Sequence, residues 1–199
     1  MRPEGSPFIA GGLVLVVVTG LLGWPALATL LALLTLFLIR FFRDPERKVP
    51  LGWGIMVAPA DGRVVEVGGG RLAIFMNLFD CHVNRSPVEG EVVEVVHTPG
   101  RFHPADKPEA AENERNLIRL KHGDQEIRVI QVAGLVARRI LCWVNPGDKV
   151  ERGERIGMIL FGSRVEIEIS PERWRFIVAH GDKVRAGETV VARAVGEDQ

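Results

Sequence analysis

The chain has 199 residues, 47% hydrophobic and 25% charged, which excludes a disordered or collagen-like polymer and leaves room for one domain with an appendage. Its 25 Lys and Arg balance 25 Asp and Glu, so a nucleic-acid-binding role has no electrostatic support. The cysteines, Cys81 and Cys142, lack C-x-x-C spacing, which rules out a disulfide scaffold or a zinc ribbon and fits a reducing compartment.

From Gly5 to Ile39 no residue is charged. The run is too long for one untilted span of about 20 residues and too short for two. Pro25 pushes Trp24 out of helical geometry and predicts a break there. Either one kinked span or a helical hairpin in one leaflet would follow. The hairpin is the favoured reading, because Arg2 at one end and Arg40, Arg43, Arg47 and Lys48 at the other then share the cytoplasmic face of the cell membrane. A cleaved signal peptide is disfavoured by the length of the run and the lack of a small-x-small site. Residues 1–45 are therefore assigned to a membrane-associating helical segment and 46–199 to a β-rich domain.

After Pro50 the pattern changes to short apolar/polar alternations between Gly, Pro and Asp: residues 63–67, 91–96, 126–132 and 164–169. Period two with frequent turns predicts strands of a sandwich or barrel. Ala105–Arg115 reads as a polar exposed loop with one helical turn. Two segments recur. Pro59–Val67 returns as Pro87–Val95, and Gly147–Glu154 returns as Gly181–Glu188. Together they resemble the biotinyl/lipoyl-like barrel-sandwich in two interleaved copies, so the expected fold is mainly β, a duplicated barrel-sandwich body behind an apolar helical segment. No lysine stands in an M-K-M turn, so a swinging-arm carrier lacks its attachment point.

Chemistry centres on Phe161-Gly162-Ser163-Arg164, between an apolar strand at 156–161 and an alternating one at 165–169. A Gly-Ser pair in a tight turn is ordinary turn chemistry. It is also what self-cleavage at serine needs, because the hydroxyl can attack the open carbonyl of Gly162 and convert the amide to an ester. β-Elimination and hydrolysis would then leave a pyruvoyl group.

Six motifs give this pair its context: Phe41–Arg47, Ala58–Gly62, Asp80–Pro87, Asn113–Asn116, Gln131–Ile140 and Gly153–Ser163. In that order the chain resembles the short, single-domain form of phosphatidylserine decarboxylase over nearly everything after Arg40. The resemblance implies a proenzyme that cuts itself between Gly162 and Ser163 into a β chain, 1–162, and an α chain, 163–199. The self-generated pyruvoyl group from Ser163 would form a Schiff base with the serine amine of a phospholipid and accept the electrons left by loss of carbon dioxide. Neither a metal nor pyridoxal phosphate is called for.

By the same resemblance, Asp61 supports autocleavage and His82 is a proton donor or carboxylate-handling group. Arg85 stands where longer members carry a second histidine, so their Asp-His-Ser triad does not transfer whole. His82, Asp61 directly, or turn strain remain as sources of the activation. Arg138 and Arg139 suit a lipid phosphate or form a solvated charge pair. His97, with His103, flanks the substrate cleft, since their spacing suits a metal poorly. Cys81 and Cys142 read as small hydrophobes. The partners implied are a serine-headed phospholipid with ester- or ether-linked tails, the membrane, the two chains of one precursor and, optionally, further copies in a homo-oligomer. Two rivals stand beside this reading. A membrane-tethered lipoyl-like adaptor without catalysis gives Gly162-Ser163 no task. A serine hydrolase built on Ser163, His82 and Asp61 lacks the strand-to-helix elbow that such enzymes use.

Overall fold

Residues 5–39 form two helices, and the break falls where proline puts it. The computed structural model describes residues 2–105, 108–134, 139–160 and 163–196. It divides into two units, Met1–Glu46 and Arg47–Gln199.

In the first unit, helix α1 (Ser6–Leu21) and helix α2 (Pro25–Phe41) are joined through Gly23, which sits at φ 74°, with Pro25 on the first turn of α2. The helices run antiparallel. Arg2 N–H donates to the Phe42 carbonyl at 2.9 Å. A Cβ at Gly12 would stand 2.4 Å from Thr35 Oγ1, so glycine is what lets the helices approach. Thr19 and Thr35 return their hydroxyls to the Leu15 and Leu31 carbonyls at 2.7 and 2.8 Å. The outward faces are apolar, with Leu13, Val17, Leu21, Leu30, Leu33 and Leu36 exposed. The stretch Pro3–Leu21 is long and apolar enough to cross a bilayer.

In the second unit the strands pair antiparallel, and an isolated parallel bridge joins Arg101 to Asn113. The strands are β1 (Ile55–Val57), β2 (Gly62–Gly68), β3 (Arg71–Met76), β4 (Val83–Arg85), β5 (Gly90–Thr98), β6 (Arg115–His122) and β7 (Gln125–Val132). There follow β8 (Ile140–Cys142), β9 (Lys149–Val150), β10 (Arg155–Ile159), β11 (Ser163–Glu168), β12 (Trp174–Phe176), β13 (Lys183–Val184) and β14 (Val190–Ala194). A large sheet has the order β13-β2-β3-β11-β7-β6-β5-β9, beside two small sheets, β1-β14-β12 and β4-β10-β8. The alternating segments bury one face: Val64, Ile74, Leu120, Ile127, Val165 and Ile167 are fully enclosed. The polar stretch after Ala105 contains a single 3-10 turn, Pro108–Glu112.

The sequence repeats correspond to repeated hydrogen bonds. Val64 N–H donates to Asp182 O at 2.9 Å and Gly181 N–H returns to Val64 O at 2.8 Å, while Val92, Asp148 and Gly147 do the same at 2.8 and 2.7 Å. Val57 N–H donates to Pro87 O at 2.9 Å and Arg85 N–H to Pro59 O at 2.8 Å, the crossed pair that a local two-fold axis demands. Matching bulges occur at Val64/Glu66 and Val92/Glu94. Strands β4 to β10 therefore repeat β1, β2, β3, β11, β12, β13 and β14 in that order. One copy is inserted whole between β3 and β11 of the other, so the copies are nested rather than interleaved. The large sheet reads alike from both ends, with β7 and β11 paired at its centre.

Each copy opens on a glycine held against a neighbouring backbone. A Cβ at Gly62, where φ is 148°, would lie 2.1 Å from Phe75 O, and one at Gly90 would lie 2.5 Å from Lys121 O. Gly62→Ala and Gly90→Ala should each lower stability by about 2 kcal/mol or more, Gly62→Ala the more severely because strain adds to the clash. Urea unfolding would register this as a lower midpoint at unchanged slope.

Candidate active site

Ser163 is the first residue of β11, opposite Met76 of β3. Alternation puts its side chain on the inner face with Val165 and Ile167, and it is fully buried. Its Oγ makes no hydrogen bond among the described residues. A buried hydroxyl in that state costs about 1–3 kcal/mol.

The chain reaches Ser163 from β10, which pairs with β4 and β8 in a small sheet and not with β11. The strands flanking Gly162-Ser163 thus belong to different sheets, which corrects the expectation of a tight turn closing one pair. Phe161, Gly162 and Arg138 lie outside the described residues. Just upstream, Ile159 N–H donates to His82 O and Leu160 N–H to Arg139 O, each at 3.3 Å. His82 and Arg139 therefore flank the segment leading to Ser163. The Arg139 side chain is exposed. The His82 ring is fully buried, with Nδ1 3.0 Å from the Asp80 carbonyl. A carbonyl only accepts, so the proton belongs on Nδ1 and the lone pair on Nε2.

Asp61 is held elsewhere. Arg47 Nη2 donates to both its oxygens at 3.0 and 2.8 Å, and Ala186 N–H donates to Oδ1 at 2.8 Å. Burial alone would lower the Arg47 pKa, but the charge and hydrogen bond of Asp61, helped by Cys81 and Glu188, raise it above its ordinary value. Cys81 immediately precedes His82, so the Arg47–Asp61 pair lies within electrostatic reach of the histidine's segment. No hydrogen bond joins Asp61 to Ser163. Arg85 donates from Nη1 to Gly153 O at 2.8 Å. His97 is half-exposed, with Nε2 3.6 Å from Glu114 Oε1. It sits three strand spacings from β11, roughly 14 Å, and is not brought to Ser163. Cys81 is buried and Cys142 half-buried, its Sγ 3.4 Å from Val144 O. No group of three or more His, Cys, Asp and Glu suited to a metal occurs among the described residues.

Three buried amides escaped the sequence reading. Gln131 Nε2 donates to Asn84 Oδ1 at 2.8 Å, Asn116 Nδ2 donates to Gln131 Oε1 at 2.9 Å, and Asn84 Nδ2 points at Met76 Sδ at 3.7 Å. This chain joins a small sheet to the large one and ends on the residue opposite Ser163. Gly157 makes room for it, since a Cβ there would lie 2.7 Å from Gln131 Nε2. A signal was present in the sequence: Gln131 follows Ile127 and Val129 on the inward phase of β7, and Asn116 precedes Ile118 and Leu120 on that of β6. The equivalent positions in the other copy are Met56, Ile169 and Gly70, so the polar lining occurs once.

A family model described as phosphatidylserine decarboxylase matches residues 34–192, a span that takes in Asp61, His82, Arg85, Gln131 and Ser163. The chain belongs to the phosphatidylserine decarboxylase family. A protein of Desulfotalea psychrophila named phosphatidylserine decarboxylase proenzyme is 39% identical over 96% of this chain and 95% of its own length. Proteins of the same name from Syntrophus aciditrophicus and Beijerinckia indica are each 44% identical, over 94% and 96% of this chain and 93% and 88% of their own. Membership of the phosphatidylserine decarboxylase family makes the chain a decarboxylase, a carbon–carbon lyase. A membrane-tethered adaptor without catalysis is not favoured by that membership.

Asn84→Ala should strand Gln131 Nε2 in the core and cost about 1–3 kcal/mol. Gly157→Ala should reach the same amide from the other side. Both effects would appear as lowered thermal midpoints of the purified chain, whereas an unchanged midpoint for both would show the amides to be uncoupled from the fold.

Proposed function

We propose that the chain is the proenzyme of a pyruvoyl-dependent enzyme that decarboxylates phosphatidylserine to phosphatidylethanolamine at the cytoplasmic face of the cell membrane. The observation that carries this reading is the buried Ser163 hydroxyl with no hydrogen bond among the described residues. A nucleophile held that way is poised for a nearby carbonyl rather than for structure. Attack by Oγ on the Gly162 carbonyl breaks the amide and forms an ester. Elimination across Ser163 then expels the Gly162 carboxylate, and hydrolysis of the remaining dehydroalanine releases ammonia and leaves the pyruvoyl group at the head of residues 163–199. The site fits that group, because the first position of β11 is enclosed and the neutral amide chain ends on Met76, directly opposite it.

The pyruvoyl group supplies an electron sink for the carbanion formed by loss of carbon dioxide. His82, with its lone pair on Nε2, moves protons at the serine headgroup. The Arg47–Asp61 pair fixes the approach of the Cys81–His82 segment. Asp61 is a positioning residue, and His82 or backbone strain activates Ser163. Arg138 and Arg139 take the lipid phosphate, and His97, three strands from β11, borders the outer part of the substrate cleft away from Ser163. The body is read as a duplicated lipoyl-like barrel-sandwich, residues 46–199, behind a membrane-associating segment, 1–45. The nested repeat supports the first assignment, and the apolar helices support the second.

Mass spectrometry of the purified protein should find two chains, 1–162 and 163–199, with the smaller bearing a ketone reducible by borohydride in the presence of an amine. Ser163→Ala should yield one folded, uncut and inactive chain, and cleavage persisting at that bond in the variant would exclude the mechanism. In the matured enzyme His82→Gln should lower kcat by about 10²–10⁴-fold with the fold intact.

A further inference from the structure

The outer face of the β1-β14-β12 sheet carries an unusual cross-strand pair. Arg175 of β12 and Arg193 of β14 stand directly opposite one another, and both are exposed. Like charges so placed repel. Neither has an ion pair or hydrogen bond among the described residues. They line a cleft of about 260 Å³ with Ile177, Val195 and Gly196. Ile177 is 48% and Val195 46% exposed.

An apolar loop borders this cleft. Gly54 O accepts from Ala194 N–H at 2.8 Å, which sets Trp53 beside the end of β14. The loop is pinned from behind, since Arg152 Nη1 donates to Gly52 O at 2.9 Å and to Ile55 O at 3.2 Å. Yet Leu51 is 95% and Trp53 92% exposed. A fixed loop that presents a tryptophan and a leucine almost wholly to solvent is costly in water and favoured at a lipid interface.

We propose that this face docks on the surface of an anionic phospholipid bilayer, with Leu51 and Trp53 entering the headgroup layer and Arg175 and Arg193 sharing lipid phosphates. The bilayer is favoured over a protein partner by charge complementarity: two guanidinium groups with no ion pair among the described residues stand beside the apolar loop. Leu51 also follows the lipid-compatible hairpin by only about ten residues in sequence. Docking offsets the Arg175–Arg193 repulsion, which no ion pair among the described residues relieves. It would hold the β body on the membrane independently of the hairpin, and it does not depend on the chemistry assigned to Ser163.

The test uses the full chain in vesicles of phosphatidylcholine, with and without one-third phosphatidylglycerol, carrying a nitroxide at Trp53→Cys, at Leu51→Cys or, as control, at exposed Lys121→Cys. In anionic vesicles the labels at 51 and 53 should gain oxygen collisions and lose collisions with a water-soluble nickel complex, while the label at 121 stays water-accessible. Arg175→Gln with Arg193→Gln should lower the docked-to-free ratio by up to about 30-fold, as should high salt. Near-ultraviolet circular dichroism checks the fold of each variant, and either labelled site suffices should the other misfold. Labels at 51 and 53 as water-accessible as the one at 121 would overturn the proposal. So would immersion that ignores both lipid charge and the arginine substitutions.

Discussion

The pairing of β7 with β11 in the middle of the large sheet is the constraint on which the other elements depend. Register there sets Val165 against Gln131 and Ile167 against Val129. A shift by one residue would turn Ser163 out of the core and turn Arg164 and Glu166 into it. Those two charges are already tied on the opposite face, where Arg164 Nη2 meets Glu166 Oε1 at 2.5 Å and Arg71 Nη2 meets Glu166 Oε2 at 2.6 Å. Apolar residues on one face and a paired acid on the other thus hold a single alignment. That alignment sends the serine inward.

The duplication explains how a site can be built at one end of a nearly symmetric body. Both copies use the same turns, bulges and crossed hydrogen bonds, so the scaffold is repeated. Chemistry enters through substitutions on one side of the axis. Asn84, Gln131 and Asn116 replace Met56, Ile169 and Gly70, and Gly157 replaces Ala192. The inserted copy also converts what is a two-residue turn between β6 and β7 into an open junction between β3 and β11. Ser163 stands at that junction. In the other copy the equivalent residue, Gln125, merely caps a hairpin and accepts a hydrogen bond from Trp174 Nε1.

Much of this was legible in the sequence because it is local. Alternation marked β2, β5, β7 and β11, an apolar run marked β10, Pro25 marked the break between the helices, and the recurring Gly-Asp-Lys-Val segments marked the turns that lead through β9 and β13. The three-residue strands β1, β4, β8 and β12 were not legible, since so few residues carry no period. Nor was the assignment of β10 and β11 to separate sheets, which depends on partners distant in the chain. The amide chain was half legible, because an inward polar residue stands out within one strand, but the partnership of Asn84 with Gln131 spans 47 positions. Asp61 shows the limit of motif reasoning. Its place in Pro-Ala-Asp-Gly says acid and turn alike, and only the fold brings Arg47 onto it.

The nesting bears on what a backbone break before Ser163 would do. Residues beyond it are laced into the remainder at three separate places: β11 between β3 and β7, β13 on β2, and β14 on β1. Neither portion could complete its own sheets. The two would behave as complementing halves of a split protein, inseparable without wholesale denaturation and each insoluble or unstructured by itself.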